Sequence, residues 1–179
     1  MNIYFDDIKL RAVESGDLEM LRELINDPET ENMTGGYSFP VSEYQQLKWF
    51  ENLNNNKNEL RTVIEINGRG GIGTAALSDI DWKNRTAEIH VKITDNKELR
   101  GKGYGTKAAK AIVKYAFDHL NLNLIYGHMN EYNIPSQRML EKCGFKKDGV
   151  LRNRIYKNGK YHNIIAWSIE RGELIGASE

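Results

Sequence analysis

The segment Arg100-Gly101-Lys102-Gly103-Tyr104-Gly105-Thr106 combines the residue types that an anion cradle needs. Three alternating glycines let the backbone approach a ligand with no side chain in the way. The amides of such a turn, followed by the orphan N–H groups of a helix start, converge on negative charge. Arg100 and Lys102 add cationic side chains, so a pyrophosphate is a natural guest. A glycine-rich surface loop ahead of an ordinary helix reads from the same letters, and the string alone leaves both open. Two further patterns carry less. Gly71-Ile72-Gly73-Thr74-Ala75-Ala76 spells a dinucleotide fingerprint, yet Leu77-Ser78-Asp79 follow it in place of an amphipathic helix. His90, His119, His128 and His162 lie at no paired metal spacing, so no metal is expected. Gly-x-x-x-x-Gly-Lys-Ser/Thr does not occur, which argues against a P-loop nucleotidase.

Charge is distributed unevenly around that loop. Residues 95–160 hold 14 Lys+Arg against 6 Asp+Glu, and the rest of the chain 11 against 19, although the whole is neutral at 25 against 25. A cationic surface concentrates phosphates and an acidic one amines, while chance decoration of solvated helix faces produces the same count. The 179 residues predict one ordinary soluble domain, 1–179, large enough to bury a core without disulfides. A single cysteine fits a reducing compartment, most simply the cytoplasm. Neither a membrane-spanning run nor a signal peptide is visible, so membrane attachment is not expected.

The elements that must hold the loop follow from periodicity. A strand is predicted over 8–13, then a helix capped by Ser15 with the stripe Leu18, Leu21, Leu24, Ile25, ended by Asp27-Pro28. Ser42-Glu43-Tyr44-Gln45 is a capping box that starts a second helix. β-Branched alternation over 62–66, 71–77 and 86–93, broken at Asn67-Gly68 and 81–84, predicts an antiparallel meander. A long helix over 104–120, a strand over 124–129, a short helix over 134–142 stopped by Gly144, and a hairpin about Asn158-Gly159 complete the order. The order β, αα, βββ, α, β, α, ββ argues for one mixed α/β sheet.

Arg100-x-x-Gly103-x-Gly105, then Asn133-x-x-Ser136, then Leu140-Glu141-Lys142-Cys143-Gly144-Phe145 resemble the GCN5-related N-acetyltransferase superfamily. The element order over about residues 8–170 resembles that fold too. The chain is most similar there to ribosomal-protein N-terminal acetyltransferases and spermidine N-acetyltransferase, with the Asn158-Gly159-Lys160-Tyr161 hairpin in support. The resemblance implies a mixed, mostly antiparallel central sheet flanked by helices, acetyl-CoA as acyl donor, and transfer to a primary amine. It implies that Arg100, Gly101, Lys102, Gly103, Tyr104, Gly105 and Thr106 hold the pyrophosphate. It implies further that Val91-Lys92-Ile93 splays from its neighbour and pairs with the pantetheine arm, and that Asn133 contacts that arm.

The same resemblance assigns chemistry. An amine of pKa about 10 must lose a proton before it attacks. Glu88 stands where relatives carry a general-base glutamate, and His90 shares its strand face as a second candidate. The Val91 N–H is the expected oxyanion donor. Many relatives carry a tyrosine seven residues after the motif asparagine to protonate the leaving thiolate; here that position is Leu140, which cannot. Ser136, matching a serine in some relatives, is then the expected positioning donor. Cys143 reads as a packed residue rather than a nucleophile, and Lys142, one helical turn from Arg138, as a solvent residue.

The acceptor, a polyamine-like amine or a protein N-terminus, is expected against the first two helices and the last hairpin. Asp27, Glu29, Glu31, Tyr37, Tyr44, Trp49, Tyr156 and Tyr161 suit a cationic amine there, and suit an ordinary surface as well. A homodimer or higher homo-oligomer is expected by family analogy alone. The rival reading is an acyl-CoA-binding or regulatory protein with weak chemistry; a nucleic-acid partner is not expected.

Overall fold

The computed structural model describes residues 2–35, 38–94, 98–99 and 101–176. Eight strands form one sheet, β1 (Ile3–Phe5), β2 (Ile8–Arg11), β3 (Leu60–Ile66), β4 (Gly70–Asp81), β5 (Thr86–Ile93), β6 (Leu124–Asn130), β7 (Lys146–Lys157) and β8 (Lys160–Glu170). Their order is β1-β2-β3-β4-β5-β6-β8-β7. Every neighbouring pair is antiparallel except β5 and β6. A parallel pair needs a long crossover. It is supplied by α4 (Tyr104–Asp118), whose Ala108, Ala109, Ile112, Val113, Ala116 and Phe117 are buried with Leu77, Ile89 and Ile125 of the sheet. Small residues on that face let the helix lie close to the strands. The opposite face is covered by α1 (Leu18–Asn26) and α3 (Glu43–Asn52), where Leu21, Val13 and Val63 form a second, smaller cluster with Trp49 and Phe50.

Local signals act as physical chemistry directs. In α3, Ser42 accepts from the Gln45 N–H at 3.2 Å while the Gln45 amide oxygen accepts from the Ser42 N–H at 2.9 Å. Gly144 ends α5 (Ile134–Cys143) at φ 102°, a conformation that favours glycine. Asn158 and Gly159, at φ 50° and 82°, close the β7–β8 hairpin.

Three departures from the sequence reading have local causes. Ser15 does not cap the first helix; residues Ser15–Asp17 form one 3-10 turn, and Glu14 and Asp17 cap it reciprocally. Asp27-Pro28 ends α1 but also begins α2 (Pro28–Met33), where the Asp27 carboxylate accepts from the Thr30 N–H at 2.6 Å and proline occupies the first helical position. The short β1 pairs with β2 through the Asp6-Asp7 turn, ahead of the first predicted strand.

Candidate active site

The parallel pair β5–β6 is in register only from Thr86 opposite Leu124 to Glu88 opposite Tyr126. Beyond that point β5 stays on β4 as far as Ile93, while β6 stays on β8 as far as Asn130, and the two strands part. The result is a fork in the middle of the sheet. Backbone alternation sets what faces it. The Arg85 carbonyl accepts from Asn123 and Leu124 on the β6 side, and the Thr94 N–H donates to Ile72 of β4 at 2.9 Å. Peptide groups of odd-numbered β5 residues therefore point towards β6, and those of even-numbered residues towards β4. Past the fork the N–H and C=O of Val91 and Ile93 have no ladder partner among the described residues, as at a free strand edge, and both residues line a cavity.

Two cavities meet in the fork, of about 380 and 510 Å³, and both are lined by Val91, Lys92, Asn133 and Ser136. The larger runs under the glycine loop. Gly101 and Gly103 take φ 75° and 80°, with no heavy atom within 4 Å of where a Cβ would stand, and Gly103 caps α4. The start of α4 thus borders the cavity at a turn where two glycines present no side chain. Tyr104 and Gly105 line it as well. Lys102 is exposed, and Arg100 lies outside the described residues.

At the base of the smaller cavity, His128 of β6 donates from Nδ1 to Glu88 Oε1 at 2.8 Å, across the parting strands. The other carboxylate oxygen is 4.0 Å from His90 Nε2, which in turn is 2.8 Å from Ser78 Oγ. Glu88, His90 and Lys92 share one face by alternation, as expected. Burial holds the His90 imidazole below its ordinary value of 6.5, with the Glu88 charge opposing that shift and Arg61 and Lys92 adding to it. The carboxylate is thus flanked by two imidazoles at the cavity base.

Asn133 caps α5 through its Oδ1, which accepts from the Ser136 N–H at 3.2 Å, and its Nδ2 donates to the Met33 carbonyl at 2.9 Å. It therefore ties the helix to the end of α2. Asn130 and Tyr132 donate to the same turn, and the Lys157 ammonium at the hairpin end pairs with the Glu31 carboxylate and carbonyl. The Ser136 side-chain hydroxyl has no hydrogen-bond partner among the described residues and faces both cavities. Leu140 is fully buried, within the same core cluster as Ile89. The Cys143 thiol is fully buried, 3.7 Å from the Thr106 carbonyl, and burial pushes its pKa up to about 11.

Of the residues expected to meet an amine, Asp27 and Glu29 line the larger cavity. Glu31 is taken by Lys157, Tyr156 and Tyr161 pack edge to face on each other at the exposed hairpin, and Tyr44 stands in solvent under Lys48. Tyr37 lies outside the described residues. Lys142 is exposed, as read from the sequence. Sequence reasoning set His128 aside as scattered. Its partnership with Glu88 depends on a parallel pairing that no local spacing encodes. Among the described residues no group of acidic, histidine or cysteine side chains could hold a metal ion, and no helix is long and apolar enough to cross a membrane.

Comparison with known proteins agrees with this geometry. Residues 7–146 match the family model described as an acetyltransferase (GNAT) domain. The spermidine N(1)-acetyltransferase of Vibrio cholerae is 30% identical over 173 residues, covering 96% of this chain and 98% of that protein. YdaF of Bacillus subtilis, provisionally named a ribosomal N-acetyltransferase, is 29% identical, with 96% and 95% covered. Among solved structures, spermidine N-acetyltransferase from Vibrio cholerae in complex with CoA and spermine superposes with a TM-score of 0.85 at 27% identity, over 93% of this chain and 97% of that one.

Proposed function

The chain belongs to the GNAT acetyltransferase family, and from that premise we propose that it acetylates a primary amine in the β5–β6 fork, with Glu88 drawing off the ammonium proton. Acetyl-CoA supplies the reactive thioester. The residues present fit that donor: the uncovered glycine turn and α4 start suit a pyrophosphate, and the free edge of Val91 and Ile93 suits an amide-bearing arm laid beside it.

In this reading Glu88, directly or through water, takes a proton from the ammonium, and the freed nitrogen lone pair forms the new bond to the carbonyl carbon. The Val91 N–H, pointing into the fork, donates to the oxygen that gains charge. The carbon–sulfur bond then breaks, the Ser136 hydroxyl steadies the departing sulfur, and the nitrogen gives up its second proton to that thiolate, directly or through water, which leaves a neutral amide and a thiol. A thiol's ordinary pKa of about 8.5 lets it leave as thiolate without a strong acid nearby. The buried Leu140 is then a packing residue, and no tyrosine is required at its place. Relatives whose names specify spermidine, and one solved in complex with spermine, favour a polyamine-like acceptor, and the ribosomal relative favours a protein N-terminus. A dodecameric relative supports assembly into a homo-oligomer.

The observation that carries this reading is the carboxylate held at the base of an opened strand pair. Glu88→Gln tests it. Turnover, followed as acetyl-CoA-dependent thiol release across an amine panel, should fall by roughly 10²- to 10⁴-fold, while acetyl-CoA still raises the melting temperature. Undiminished turnover removes Glu88 from the role of base. Thermal stabilisation of wild type by acetyl-CoA without thiol release from any amine would mark an acyl-CoA-binding protein instead.

A further inference from the structure

On the acceptor face of β5, a cleft of about 430 Å³ lies between α1 and α3, and it reaches the fork at Lys92, which lines both. Its walls are aliphatic and aromatic, Leu21 and Trp49 among them, and among the described residues its charged lining residues are Lys92 and Arg61, with no carboxylate. Three polar side chains in it lack a hydrogen-bond partner among the described residues: those of Gln46 and Thr74, residues that are buried apart from what they show to the cleft, and that of the half-buried Lys92. Arg61 lies over the Trp49 ring at 5.7 Å and pairs with Glu59.

Three polar side chains that converge on one largely apolar cleft, with no protein partner among the described residues and their polar atoms still open to solvent, form a site where a ligand can replace water. Lys92 can only donate and Gln46 and Thr74 can donate with it, so an acceptor of hydrogen bonds matches all three, and beside the Lys92 ammonium, with Arg61 already paired to Glu59, it carries negative charge. Burial, reinforced by Arg61, holds the Lys92 ammonium below its ordinary pKa of 10.5, the state that a nearby anion relieves. A polycation gains nothing here.

The geometry points to a carboxylate-binding subsite: the acceptor is an amine whose apolar body also bears a carboxylate, seated on Lys92, Gln46 and Thr74 while the amine lies in the fork. This rests on the acetyltransferase reading for the amine, and on the cleft alone for the carboxylate. The carboxylate has two sources, a free amino acid or the acidic first residue of a peptide.

Two probes that differ in charge alone test the cleft without catalysis. 4-Methylpentanoate and 4-methylpentanamide are titrated into the full chain and followed by ligand-observed NMR. The carboxylate should bind at least about ten-fold more tightly, as expected for a charge-assisted contact. Lys92→Met should abolish that preference and Gln46→Leu should weaken it several-fold, with melting curves confirming that each variant is folded. Equal binding of the probes, no binding of either, or a preference that survives Lys92→Met overturns the subsite. Thiol release with leucine, with a peptide amide beginning in aspartate, and with spermidine then separates the sources. A preference for either carboxylated amine that Lys92→Glu shifts towards spermidine supports the subsite. Spermidine turnover indifferent to Lys92→Glu sinks the subsite and leaves the acetyltransferase reading intact. Carboxylate binding without turnover of any amine does the reverse.

Discussion

Gly73→Ala is the substitution through which the fork can be closed from behind. Gly73 of β4 pairs in register with Ile93, and a Cβ there would stand 2.1 Å from the Lys92 carbonyl oxygen and 2.9 Å from the Ile93 Cα. Those atoms are backbone, so no rotamer change relieves the overlap. β5 must retreat from β4, and the fork offers open space on its other side. Losing about two ladder hydrogen bonds at roughly 1 kcal/mol each, with overpacking of about 1–3 kcal/mol, gives a loss near 2–4 kcal/mol. For a chain of this size that lowers the melting temperature by roughly 5–15 °C. The same retreat moves the free edge of Val91 and Ile93, so the KM for acetyl-CoA should rise. Gly149→Ala is the control, because no heavy atom lies within 4 Å of its Cβ position, and it should shift stability by less than about 0.5 kcal/mol. Thermal melts with and without acetyl-CoA, beside steady-state kinetics, measure both effects. A Gly73→Ala protein that melts with wild type and keeps its KM refutes the steric argument.

Two further outcomes follow from titrating groups. The Arg11 guanidinium, bonded to Asp17 at 2.7 and 2.8 Å and paired with Glu65, holds the Asp17 carboxyl below its ordinary 3.8; Lys9 first, then Arg11, holds Glu65 below 4.5. The unfolded chain binds more protons in that range, so this stability is complete above about pH 4.5 and is lost as pH falls through the lowered folded values. Asp17→Asn should cost about 2–3 kcal/mol near neutrality, because Arg11 keeps less than its full set of partners, and should flatten the acid limb of guanidinium melts; an unaltered acid limb would show that the pair contributes nothing. Cys143, with its thiol pushed up to about 11, should resist iodoacetamide near pH 8 in the folded protein and react once guanidinium unfolds it. Rapid labelling of the native protein would contradict its burial.

What the letters disclose and what they withhold divides along sequence distance. The capping box at Ser42, the stop at Gly144 and the Asn158-Gly159 turn are local devices, and each forms as written. Asp27-Pro28 shows the limit of a local signal. The same pair is a helix stop from the left and a cap with proline at the first position from the right, and α2 is too short to show a period of its own. The fingerprint-like string at Gly71 and Gly73 is explained by packing. Gly71 admits Val63 within 2.9 Å of its Cβ position, and Gly73 admits β5. Gln46, Thr74 and Lys92 come from three separate elements, so nothing in their spacing foretells their common cleft. The same holds for Glu88 and His128, which the α4 crossover brings to opposite sides of the fork.

Alternation along β5 gives the proposed reaction separate faces for its two substrates. Ile89, Val91 and Ile93 send their side chains to the α4 side of the sheet, where they pack in the main core, and their peptide groups towards β6. Glu88, His90 and Lys92 send their side chains to the other face, towards the fork base and the α1–α3 cleft. In the proposed reading, a strand with a period of two presents a backbone edge to the acyl donor and a row of titratable side chains to the amine. Changes at even positions of β5 should therefore alter which amine is used while leaving acetyl-CoA affinity in place. Bulkier residues at odd positions should act through the core and displace the edge that receives the donor. The parting of β5 from β6 after Glu88 is what makes this division possible, since a fully paired β5 would offer no edge at all.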